Sequence, residues 1–347
     1  MLKKILIPFV LFIFITSCEK ESDDRTDNEF DRDYYANVFE EVWQNFDLNY
    51  PYFIHKNINW DSIKTVYEPK IMNVSSYNSF INTVLKGLLS EFPDLHVMLY
   101  DKYNYKIPLY SSEYEINYNY TDSYYERYIN IDRITNSTLI YIGNIDHKIG
   151  YILIASWSDA DGINELNQYL NSNQSTFEAY DAIIIDVRIN GGGSELNARS
   201  VAGRFTNTSM LYAWHQYRNG PEHTDFTPYY ERWFEPSADW KYSKPVYVLI
   251  GEKCMSSNES FILMMSTLDQ VTTIGDTTRG SSGNPDRCVL SDGTVYFVPR
   301  WLACKTDKSI LEDVGIFPDI AIDASESLSG DRDMVLERAI EEIEAIN

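Results

Sequence analysis

Apolar residues recur every three or four positions between Asp33 and Phe46, at Tyr35, Val38, Phe39, Val42, Trp43 and Phe46, which is the spacing of an amphipathic helix. Asn49-Tyr50-Pro51 ends it. A second stripe, Tyr77, Phe80, Ile81, Val84, Leu85, Leu88 and Leu89, predicts another helix, broken by Glu91-Phe92-Pro93-Asp94 before an extended segment from His96 to Tyr100. Residues 33–100 thus read as a helical N-terminal domain. Between Tyr103 and Asp146 short alternations such as Tyr114-Glu115-Ile116-Asn117-Tyr118 predict small antiparallel strands, making 101–148 a β-rich connecting segment. From Gly150 the pattern changes to strand–helix units: strand Tyr151–Ala155, helix Ile163–Leu170, strand Ala182–Val187, then Gly191-Gly192-Gly193 and a helix from Glu195 to Phe205. Trp214 to Trp240 reads as an irregular aromatic loop. Strand Val246–Ile250 then leads through a turn containing Ser256 into a helix with Phe261, Ile262, Met265 and Leu268. Strands follow at Val271–Ile274, Cys288–Leu290, Val295–Val298 and Leu302–Lys305, with a hairpin turn at Ser291-Asp292-Gly293, and a helix Met334–Ile343 closes the chain. The fold class is α/β (α+β), with residues 149–347 as its main core.

Charge and composition narrow the picture. Asp and Glu number 52 against 29 Lys and Arg, a formal net charge of -23 that repels nucleic-acid phosphates and anionic membrane surfaces. Nucleic acid is therefore excluded as a partner. Lys3 and Lys4 precede an apolar run, Ile5–Ile15, that is short for a bilayer span, so residues 1–17 read as a signal peptide. Ile15-Thr16-Ser17-Cys18 resembles a bacterial lipobox, which implies lipidation of Cys18 and an acidic tether over 18–32. The expected location is the cell envelope of a Gram-negative-type bacterium, on an outer membrane facing either periplasm or cell surface, with the lipid as the only membrane contact. Cys254, Cys288 and Cys304 remain, and an oxidising compartment permits either a Cys288–Cys304 disulfide or three free thiols. No cysteine pair has metal-site spacing with histidine, so no metal is expected. No other cofactor is implied.

Two turns carry candidate chemistry. The glycine turn at 191–193 presents backbone N–H groups at a helix N-terminus, where a bound anion or a developing oxyanion is favoured. Ser256 sits where a buried strand turns into a helix, which exposes its hydroxyl, although Ser256-x-x-Glu259 also has the form of a capping box. A serine hydroxyl needs a base to become a nucleophile. The histidines are His55, His96, His147, His215 and His223, and His96 stands out at the mouth of a strand with Asp94 two residues before it. Asp186 and Arg188 alternate with the apolar face of their strand and read as scaffold for the glycine turn.

Asp186-Val187-Arg188-Ile189-Asn190-Gly191-Gly192-Gly193, Ser256-Ser257-Asn258-Glu259-Ser260-Phe261, Gly275-Asp276-Thr277-Thr278-Arg279-Gly280 and Gly315-Ile316-Phe317-Pro318-Asp319-Ile320 occur in this order. Together they resemble the tail-specific, or C-terminal processing, serine peptidases, from about Tyr34 to Ile320. The resemblance implies a crotonase- and ClpP-like core and Ser256 as nucleophile. It also shows a departure: the lysine base of the bacterial processing enzymes would stand at Ser281. The chain is thus closer to the tricorn-core and interphotoreceptor retinoid-binding-protein-like branch, which lacks that lysine. In that branch the residues corresponding to His96 and Glu312 serve as base and as its support through an intermediate hydroxyl, the alternative for Glu312 being an exposed surface carboxylate. Many relatives have proline where Gly191 stands, and proline has no N–H, so Gly192 is expected to pair with Ser257 as oxyanion donors. Glu259 and Gly191 are expected to support the two turns. The segment after Met98 is too short for a complete PDZ domain. The expected activity is endopeptidase cleavage of a polypeptide through an acyl-enzyme. The alternative is an inactive family member, a lipoprotein that binds peptides, glycans or hydrophobic ligands.

Overall fold

The structure, a computed structural model, describes residues 32–118, 127–237, 239–323, 325, 328–329 and 332–346. The expected signal segment, Cys18 and all but the last residue of the tether lie outside the described residues.

A seven-stranded sheet runs in the order Ile320–Ala321, Val271–Gly275, Val246–Ile250, Ala182–Asp186, Ile149–Ile154, Ile140–Ile145, Asn130–Ile134. The strands from Ile320–Ala321 to Ile149–Ile154 pair in parallel, and the remaining two continue antiparallel. The central strand is apolar from Ala182 to Ile185 because both of its faces are covered. Ile183 and Ile185 pack with the helices Ala160–Ser172, Glu195–Ala202 and Ser257–Met265, whereas Ile184 packs with Val335, Leu336 and Ile343 of the closing helix Met334–Ala345. At the carboxyl end of this strand Arg188 is 1% exposed and forks onto two buried carboxylates. Its Nη2 lies 2.7 Å from Asp186 Oδ2 and 2.8 Å from Asp333 Oδ2, and Asp333 also caps the closing helix through Leu336 N–H. Arg188 thus joins the central strand to the chain's last helix.

The N-terminal helices are Arg32–Asn49, Trp60–Tyr67 and a continuous run of α-turn Tyr77–Phe80, π-helical Ile81–Leu85 and α-helical Lys86–Ser90. They do not form a separate body. Phe46, Leu88 and Phe92 share one core with Leu99, Tyr296, Val298 and Leu302, and the strand Met98–Tyr100 pairs antiparallel with Val295–Val298.

Two parts of the chain differ from the sequence reading. The connecting segment 101–148 is not a unit of its own: Asn130–Ile134 and Ile140–Ile145 are the edge of the core sheet, and residues 108–118 belong to no strand. The stretch Trp214 to Trp240 is not loop throughout, since residues 214–217 and 230–234 lie in strands. Met210–Tyr217 and Tyr230–Phe234 pair antiparallel and join Trp301–Cys304 in a three-stranded sheet. Tyr230 and Trp233 are exposed on that sheet, so the alternation of apolar and polar residues that marks a half-buried strand is lost. Of the two alternatives for the cysteines, the structure has Cys254, Cys288 and Cys304 as free thiols.

Candidate active site

The parallel strands end at one edge, the usual place for a site in such a sheet, and three turns meet there. The first is the glycine turn. Gly192 has φ +105°, and a β-carbon on it would stand 2.8 Å from Ser256 Cβ, so only glycine allows the two turns to approach this closely. Asn258 is buried and staples them: its Nδ2 donates to the carbonyls of Val187 and Asn190 at 3.1 and 3.0 Å, and its Oδ1 accepts Trp157 Nε1–H at 2.9 Å. Ser257 Oγ adds a bond to Gly193 O at 2.6 Å.

The second turn carries Ser256, with φ +59° and ψ −131°, immediately before the helix Ser257–Met265. A non-glycine residue in this region costs about 1–3 kcal/mol and needs surrounding contacts to hold it. Its N–H donates to Ser281 O at 2.8 Å and to Glu259 Oε2 at 3.2 Å. The half of the capping box in which Glu259 reaches back to the Ser256 N–H is therefore present, and it coexists with a half-buried hydroxyl at the mouth of the turn.

The third turn is Thr278–Ser282. Glu259, 0% exposed, gathers it by accepting from Thr278 Oγ1 at 2.6 Å, Gly280 N at 2.7 Å and Ser281 N at 3.0 Å. Burial pushes the Glu259 carboxyl up to about 7, against donated hydrogen bonds that favour its ionised form. Ser281 Oγ then meets His96 Nδ1 at 3.1 Å. His96 is held from the other side by Asp94, whose Oδ1 accepts the His96 N–H at 2.8 Å and lies 4.0 Å from Nδ1. Burial pulls the imidazole below its ordinary pKa, with Asp94 raising it and Lys56 lowering it further. A neutral, proton-accepting ring at neutral pH is the result.

Glu312 is 1% exposed, which rules out the surface-carboxylate alternative. Its Oε2 accepts Ser282 N–H at 2.8 Å and its Oε1 lies 3.0 Å from Lys56 Nζ. Burial and the neighbouring Asp94 push its carboxyl well above the usual range, and Lys56 holds it down. Glu312 reaches His96 indirectly, through the Ser281–Ser282 turn. A cavity of about 210 Å³, lined by Leu95, Arg279, Ser281 and Glu312 among others, opens this turn to the outside.

The structure thus brings Ser256, Ser257, Gly191, Gly192, Glu259, His96 and Glu312 to one edge. Among the described residues no hydrogen bond joins His96 to Ser256. Asp186 and Arg188 lie behind the glycine turn in the buried ion cluster. The Gly192 N–H, the expected oxyanion donor, donates to Asn190 Oδ1 at 2.8 Å, an Asx turn that competes with oxyanion binding. Among the described residues, the amides of Gly191 and Ser257 have no hydrogen-bond partner. Sequence reasoning met Ser281 only as the place of a missing lysine, and it passed over Asn258 and Lys56. Asn258 lies inside a motif already noted, so its buried position on the helix face was the available signal; Lys56 had none.

The profile of peptidase family S41 matches residues 148–322, and that of the tricorn protease C1 domain matches residues 31–85. The chain belongs to peptidase family S41, and its fold is the mixed α/β fold of C-terminal processing and tricorn proteases with a helical N-terminal region. Among solved structures it is similar to a putative peptidase from Parabacteroides merdae ATCC 43184, at 27% identity and TM-score 0.76, over 89% of this chain and 96% of that one. It also resembles a lipoprotein from Streptococcus agalactiae, at 16% identity and TM-score 0.59, over 93% and 99% of the two chains. The photosystem II D1 C-terminal processing protease matches at 13% identity and TM-score 0.55, over 85% and 94%. No curated protein sequence is a match.

Proposed function

We propose that this chain is a serine endopeptidase in which Ser256 attacks the peptide carbonyl and His96 accepts its proton, then returns it to the leaving amine. The observation that carries this reading is the hydrogen bond between Ser281 Oγ and His96 Nδ1: at the position of the family's lysine, a hydroxyl orients a histidine instead. With Nδ1 so engaged, Nε2 is the ring nitrogen left for the nucleophile. Glu312 supports the pair by fixing the Ser282 amide, and Ser257 N–H with Gly191 N–H is the oxyanion hole, Gly191 replacing the Gly192 expected from sequence. Family membership implies a polypeptide substrate. The same reading keeps the chain a lipoprotein of the cell envelope, anchored through Cys18.

The test is incubation with a fluorophosphonate probe and with fluorogenic casein. Labelling mapped to Ser256 by mass spectrometry, together with casein cleavage that is lost in His96→Ala, is the expected result. A folded protein that neither labels nor cleaves would instead be the inactive, ligand-binding family member. Ser281→Ala is expected to lower kcat about tenfold to a hundredfold with little change in KM, the loss of one hydrogen bond to a group that becomes charged; steady-state kinetics reads the split.

A further inference from the structure

Lys56 belongs to none of the motifs, yet its side chain is only 2% exposed. Its Nζ donates to Pro93 O at 3.0 Å and to both Asp313 oxygens at 2.7 and 2.8 Å, and lies 3.0 Å from Glu312 Oε1. An ammonium taken out of water this far is costly unless its geometry is put to use, and for stability alone a methionine of similar length commonly serves as well. The two anchors of Lys56 are the two arms of the base. Pro93 begins the turn that carries His96, and Glu312 holds the turn that carries Ser281. Resting on the reading of His96 as base, we infer that Lys56 is a positioning residue that clamps the His96 turn to the Ser281–Ser282 turn and sets the charge balance under which the imidazole works.

The surroundings make this specific. Asp94 and Glu312 face the pair from inside, and Asp313 and His55 from outside, where His55 Nε2 lies 3.3 Å from Asp313. Tyr50 donates to Asp94 at 2.9 Å, Tyr52 Oη lies 3.2 Å from Ser282 Oγ, and Glu259 holds Ser281 from below. Among these described groups Lys56 is the one fixed cation beside three carboxylates. Its positive charge disfavours the imidazolium, in the same direction as burial, whereas Asp94 favours it. Removing Lys56 therefore raises the His96 pKa. Because hydrolysis needs neutral His96, the acid limb of the pH profile moves to higher pH.

The experiment measures kcat/KM for fluorogenic casein and the rate of fluorophosphonate labelling across pH for wild type, Lys56→Met, Lys56→Arg and the double variant Lys56→Met/Glu312→Gln. Lys56→Met is expected to move the acid limb up by about one pH unit and to lower kcat more than it changes KM. Lys56→Arg, which keeps the charge, is expected to keep the limb near its wild-type position. The double variant removes Lys56 together with its buried partner Glu312 and leaves Asp94 its Tyr50 and His96 N–H donors, so it reads the loss of the cation through labelling if the single variant does not fold. An acid limb unmoved in both Lys56→Met variants overturns the inference while leaving His96 as base. Casein cleavage that survives His96→Ala instead removes the reading on which it rests.

Discussion

Ser256→Ala is expected to lower casein hydrolysis by about 10⁴-fold or more and to abolish fluorophosphonate labelling, with a melting temperature close to wild type. The contacts that hold the residue at φ +59° are made by its backbone, to Ser281 O and the Glu259 carboxylate, and alanine retains both. The substitution therefore removes the nucleophile and leaves the turn standing. What remains is the pair of amides at Ser257 and Gly191, which can still polarise a bound carbonyl, so residual cleavage above the uncatalysed rate is compatible with the proposal. Labelling that persists in Ser256→Ala would place the reactive hydroxyl elsewhere, and Ser281, already beside His96, would be the residue to examine next.

Arg188→Met is expected to cost about 3–5 kcal/mol of folding stability, the usual penalty for removing one partner of a buried ion cluster. Asp186 and Asp333 are each 0% exposed, and both lose their fork at once. Arg188 Nη1 also donates to Asn117 O at 2.7 Å, so the segment before residue 118 loses an anchor. Lysine is expected to rescue little, because a single ammonium cannot make parallel bonds to two carboxylates. Urea denaturation of both variants measures this; a loss below about 1 kcal/mol would mean that the cluster is replaceable by ordinary packing.

These outcomes rest on features of unequal visibility in the sequence. The central strand and the strand before Ser256 were legible because each is an apolar run cut off by a turn, a pattern that only two-sided burial produces. His96 was legible from a broken helix followed by an extended segment. The engagement of the Gly192 amide was not legible because its partner is local: Asn190 takes the amide through an Asx turn, and neither the residue types nor the family comparison reveals which way a side chain points. The strand Tyr230–Phe234 was hidden by aromatic residues on exposed positions, and Met210–Tyr217 by half-buried positions on both of its faces. Lys56 was invisible for a different reason. Its partners Pro93 and Asp313 are 37 and 257 positions away, and no local pattern encodes contacts of that range.

The pairing of Met98–Tyr100 with Val295–Val298 has a consequence for how the protein is made. His96 and Lys56 come from the first hundred residues, and Ser256, Ser281 and Glu312 from the last hundred. A chain still emerging from the ribosome holds His96 for most of its synthesis without the Ser281 turn that meets its Nδ1. On the proposed mechanism, nucleophile and base can therefore meet only once the final stretch of polypeptide has been made.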